Sequence, residues 1–178
     1  MLSVERNKKG DFVLNMPGPA LVYLQEVPAR LSRVLTEPES SGKAYKRLFP
    51  AAYKDDAHEA EYRKLMDEEI RHQKLENVDE FDTLLKESEI DFTVSEVIVP
   101  AHRFEAWLGF VNDMRLVLGT ELGIEEDYWD DEVPEDHPQA ESFFLLHFLS
   151  AIQELLVRAS GVELDLHPDD LSDDSEGQ

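Results

Sequence analysis

The sequence contains no cysteine. That excludes disulfide frameworks, zinc–thiolate sites and cysteine nucleophiles, and it suits a reducing compartment. Positive charge is scarce as well. Seventeen Lys and Arg stand against 40 Asp and Glu, giving a net charge of −23 over 178 residues. So anionic a chain repels nucleic-acid phosphate and anionic lipid at long range, so neither nucleic acid nor a membrane is expected as a partner. No uninterrupted apolar run approaches a membrane span, and the opening stretch MLSVERNKKGDFVL has no apolar signal core. A cytoplasmic protein is expected. There is no phosphate-binding glycine loop, nucleophile elbow or Ser/His/Asp order. The motifs therefore give an enzyme no support.

What is present describes a folded domain. Hydrophobic residues make up 42% and charged residues 32%, the balance of a chain with a real core. Residues 1–161 are read as a single helical domain. Residues 162–178 hold seven acidic and no basic residues, and are read as a disordered tail. The charge is uneven: residues 1–54 carry nine basic and five acidic residues, a net +4, and the remainder carries −27. Residues 125–136 hold eight acidic and no basic residues and are expected to form a loop, with Tyr128 and Trp129 as packing anchors.

The stretch from Val99 to Gly123 organises the chain. Phe104, Trp107, Leu108, Val111, Leu118 and Leu122 recur at spacings of three and four, one face of a helix over 100–122. Pro100 suits its first turn and Gly123 a C′ position. Arg115 falls on the same face. A guanidinium there must be paired, because desolvating it alone costs several kcal/mol. Two readings follow: a buried pair with a carboxylate from an acidic helix such as 56–75, or an anion-binding arginine in a cleft.

The other elements follow from pattern. Ser3 to Asn15 alternates around Asn7-Lys8-Lys9-Gly10, a hairpin. Helical spacing runs from Leu21 to Leu35, with Pro28 expected to kink or split it near Val27. Thr36 to Tyr53 is expected to be a loop. It carries the densest basic cluster, Lys43, Lys46, Arg47 and Lys54, whose charges are expected to pair with acidic helices. Asp56 to Leu75 is a helix with an apolar stripe of Tyr62, Leu65, Met66 and Ile70, and Asn77 with Glu80 looks like the capping box of another. Thr93 to Val99 is β-rich, either a third strand on the hairpin or an extended lead-in. The helix after Pro138 is apolar round most of its circumference and is expected to be the most buried. The fold class is mainly α: an irregular bundle of five or six helices with a small N-terminal β-hairpin.

Candidate chemistry is thin. Glu69 and His72 form one E-x-x-H, where di-iron bundles need two. His147 and Glu154 share a polar stripe and are explained by solvent exposure. Residues 125–136 lack the central glycine of a calcium loop. No metal and no cofactor is expected.

Two motifs carry a resemblance. Trp107-Leu108, Asn112-Asp113-Met114-Arg115-Leu116, Leu118-Gly119-Thr120 and Leu122-Gly123 are one; Arg47-Leu48-Phe49-Pro50 with Tyr53 and Asp55-Asp56 is the other. Together they resemble an uncharacterised bacterial family, mainly actinobacterial, often encoded beside the Clp protease adaptor ClpS. The resemblance spans roughly the first 160 residues and transfers no catalytic residue. It makes Arg115, Asn112, Asp113, Arg47 and Tyr53 the candidates for contacting a ligand or partner. The expected function is an interaction or regulatory protein with a protein partner, in a setting of Clp-dependent proteolysis. The alternative is a small hydrolase or metalloenzyme using carboxylates with His72 or His147.

Overall fold

The computed structural model describes residues 1–124 and 137–161. The acidic stretch and the tail singled out above lie outside the described residues. Three antiparallel strands, β1 (Ser3–Arg6), β2 (Phe12–Pro17) and β3 (Val94–Val99), form a sheet in the order β1-β2-β3. Asn7 closes the hairpin, its Oδ1 accepting from the backbone N–H of Lys9 and of Asp11. Gly10 supplies the positive φ, +89°, that the turn requires. The β-rich stretch before Pro100 is thus a true third strand, with Val13 opposite Ile98 and Asn15 opposite Glu96.

Strand alternation gives the sheet two unlike faces. Phe12, Leu14, Met16, Ser95, Val97 and Val99 are buried against the helices. Val94, Glu96 and Ile98 point the other way and are exposed. Phe12 stacks on Phe104 at 4.5 Å between ring centroids and so fastens sheet to helix layer.

The helices are α1 (Gly18–Leu24), α2 (Val27–Thr36), α3 (Pro38–Leu48), α4 (Asp56–Glu87), α5 (Phe104–Glu121) and α6 (Ala140–Ala159), with a 3-10 turn over Ala101–Arg103. The break between α1 and α2 falls just ahead of Pro28, as its missing N–H dictates. Gly18 opens α1 at a crowded point: a Cβ there would lie 2.0 Å from the carbonyl oxygen of Asp91.

Several expectations are corrected. Residues 38–48 form α3 rather than a loop: Pro38 starts a helix instead of a turn, and Ala44 and Leu48 fill a buried stripe. Gly42, at φ +45°, marks a break inside it. The two helices read over 56–87 are one. Asn77 lies inside α4 against Gly109, whose missing Cβ lets α4 and α5 approach. Glu80 pairs with Arg103 instead of capping, a charge contact at 3.0 Å rather than an aligned hydrogen bond. On α4, Leu65 is 69% exposed, so the stripe read through it is not a core stripe.

The core centres on α5, with Trp107, Phe110, Val111, Met114, Val117 and Leu118 fully buried. Phe81 of α4 stacks on Phe110 at 3.9 Å and leans on Trp107 at 4.3 Å. The helix expected to be most buried, α6, is buried only along Leu145, Leu146, Leu149, Ile152 and Leu156, and Phe144 is 58% exposed. Its 20 residues are apolar and long enough to cross a membrane by composition alone, contrary to the expectation that no segment would be. One such helix is weak grounds for a span, since the core helix of a soluble protein passes the same test.

Candidate functional site

Asn112, Asp113 and Arg115 do not converge. At 100° per residue, neighbours on a helix point apart. Asn112 faces solvent, Asp113 faces α4 and Arg115 faces α6. Arg115 is half-buried, and its Nε and Nη1 donate to Ser150 Oγ (2.9 Å) and Gln153 Oε1 (2.6 Å). It does bridge two helices, but towards α6 and not towards the acidic helix expected.

The buried ion pair between α5 and α4 exists with its signs exchanged. Asp113 on α5 is 4% exposed, and Lys74 of α4 donates to its Oδ1 at 2.7 Å. Burial pushes the Asp113 carboxyl above the usual range, opposed by the hydrogen bond and charge of Lys74. Desolvation is the larger influence.

Arg47 and Tyr53 belong to the segment that joins α3 to α4. Leu48 and Phe49 anchor it in the core, and Tyr45 stacks on Phe49 at 4.5 Å. Asp55 caps α4, accepting from His58 N. Glu59 Oε2 accepts from the N–H groups of Ala52 and Tyr53, and Arg63 donates to the carbonyl of Phe49. The second motif therefore reads as a fastening of this segment onto α4. Tyr53 is about half exposed and meets Tyr62 edge-on. Arg47 is exposed. Among the described residues, neither it nor Lys43, Lys46 or Lys54 makes an ion pair, so the pairing expected of this cluster is not found there.

His72 faces solvent beside Glu76 at 3.2 Å. His147 is also exposed. Among the described residues no three His, Asp or Glu stand together as a metal site.

Among the described residues a concave feature lies elsewhere, where the end of α4 meets β3. A groove of about 480 Å³ is lined by Leu84, Glu87, Ser88, Glu89, Asp91, Val94, Glu96 and Ile98. Ser95 holds its lip, its Oγ accepting from Asp91 N and donating to Asp91 O. Backbone N–H groups of Thr93 and Val94 keep the Asp91 carboxyl below the usual carboxylate range, so it is anionic. Val94 and Ile98 are 45% and 46% exposed, and Phe92 beside them is 88% exposed. A signal for this face is visible in TVSEVIV: apolar residues fall on both strand faces, where a strand covered on one side should be polar outward.

Fold and groove together define a small helical domain capped by a three-stranded sheet whose β3 edge, among the described residues, pairs with no further strand. Residues 1–160 match a domain of unknown function, DUF2017, and the chain belongs to that family. No curated protein and no solved structure matches it.

Proposed function

We propose that this is a cytoplasmic interaction or regulatory protein that acts by holding a partner protein. The observation that carries this reading is the β3 face: a groove that sets Leu84, Val94 and Ile98 among carboxylates beside an unpaired strand edge, with Val94, Ile98 and Phe92 left in solvent. Contiguous exposed apolar surface rimmed by polar groups is typical of protein docking sites. The gene-neighbourhood habit implied by the sequence resemblance supports Clp-dependent proteolysis as the setting.

The test places a photo-crosslinking residue at Ile98 and, in a second variant, at exposed Asn112. We expect a discrete adduct in extract from Ile98 that disappears when Val94→Asp is added. Equal labelling from both positions, or no adduct from Ile98, would overturn the reading. For the setting, we expect the protein to change the rate at which Clp protease with its adaptor degrades a substrate; an unchanged rate would remove the Clp link alone.

A further inference from the structure

We propose that β3 accepts an extended peptide whose apolar and basic side chains alternate along one face, and which pairs along its open edge as a fourth strand. This rests on the docking reading above and adds the chemistry of the occupant. The edge is the first argument. β2 occupies one side of β3, and among the described residues no strand pairs with the other. Such an edge presents unpaired N–H and C=O groups to an incoming chain, and six residues give a strand of ordinary length to pair with.

Side chains set the pattern of the guest. In a strand pair, residues directly opposite interact across one face. The host presents Val94, Glu96 and Ile98 on its exposed face, so apolar groups flank one carboxylate. A guest that matches offers apolar, basic, apolar at alternate positions. The rest of the groove agrees. Glu87, Glu89 and Asp91 join Glu96 in its lining, and among the described residues no cation stands within ion-pair distance of any of the four.

The same charges argue against other occupants. In an antiparallel pairing of two copies of β3 centred on its middle, Glu96 would face or neighbour its own equivalent, which like charges disfavour. Each copy also carries −23. Residues 125–136 and 162–178 of the chain itself are acidic and would be repelled from a carboxylate rim.

The experiment uses the full chain and fluorescently labelled eight-residue peptides, read by anisotropy. One peptide carries valine and lysine by turns at every second position with threonine between them, so that both share one face, and one carries valine and glutamate in the same way. A third carries the valine–lysine sequence with alternate backbone amides N-methylated, which keeps the charge but blocks strand pairing. We expect the valine–lysine peptide to bind at least tenfold more tightly than either of the others. Ile98→Asp should weaken it tenfold or more with an unchanged melting curve, and Glu96→Lys should shift the preference towards the glutamate peptide. Equal binding of the N-methylated peptide would show attraction to overall negative charge alone and overturn the proposal. Absence of binding by all three would also overturn it, as would a concentration-dependent dimer that dissociates on Ile98→Asp. A positive crosslink at Ile98 with no peptide bound would leave the docking reading standing and remove this one.

Discussion

Lys74 Nζ lies 2.7 Å from Asp113 Oδ1, joining α4 to α5 through the one buried carboxylate among the described residues. Lys74→Met would leave that carboxylate without its cation, and we expect a loss of about 3–5 kcal/mol at pH 7, as for other broken buried pairs. Asp113→Asn should cost less, because Lys74 is only partly covered and can reach water. The sign with pH follows from the raised carboxyl. A folded state that holds the proton more tightly than the unfolded chain loses stability as pH rises through the folded value. The Lys74→Met deficit should therefore shrink on acidification towards the ordinary carboxylate range. Urea denaturation at pH 7 and pH 5 checks it; a deficit independent of pH would show Asp113 already neutral.

Gly18→Ala should destabilise by at least about 1–3 kcal/mol, the range for overpacking. The added Cβ would fall 2.0 Å from Asp91 O and 2.7 Å from Phe92 Cα, both backbone atoms that cannot swing aside. The φ of Gly18 is not positive, so the cost is one of space alone. The shift also displaces the lip of the β3 groove, so valine–lysine peptide binding should weaken along with the denaturation midpoint. An unchanged midpoint would show that the segment 91–92 moves freely.

Arg115→Lys keeps the charge but loses the planar fork that reaches Ser150 and Gln153 together. We expect a loss of about 1.5–3 kcal/mol, the range of a hydrogen bond to a charged group. A wild-type midpoint in chemical denaturation would remove these bonds from the account of how α5 holds α6.

Glu59→Ala removes the acceptor for two backbone N–H groups at the start of α4. We expect the amides of Ala52 and Tyr53 to exchange with solvent at least tenfold faster, while those of Phe81 and Leu85 are unchanged. Equal acceleration at all four would mean global rather than local opening.

The fold was largely legible, because periodicity reports what each element buries. The alternation around Gly10 and the proline at position 28 mark the hairpin and the α1–α2 break by local chemistry, which needs no tertiary knowledge. The errors arose where one local signal served another purpose. Glu37-Pro38 reads equally as a turn or a helix start, and only the burial of Ala44 and Leu48 decides. Asn77 with Glu80 has the spacing of a cap, yet Asn77 fills the space left by Gly109, a contact 32 positions away. Of the candidate residues, periodicity put Arg115 on the core face and did not single out Asp113, whose burial depends on Lys74. The outward apolar residues of TVSEVIV were legible but the groove was not, because it exists only where residues 84–91 meet β3.

Among the described residues, α4 is 32 residues long, about 48 Å at 1.5 Å per residue; its fully buried residues all come from Val78 onward, with Ile70 and Leu75 half-buried before them. Its first five turns carry a ladder of their own charges, Arg63 between Glu59 and Asp67, then Glu68 with Arg71, besides the ties of Glu59 and Arg63 to residues 49–53. Such ladders add only tenths of a kcal/mol each and weaken with salt. The helix should therefore melt in stages. High salt should loosen the ladder between Glu59 and Arg71 while the Phe81 end, with the groove it walls, stays closed. A single rod thus gives the molecule one end responsive to ionic strength and one end indifferent to it.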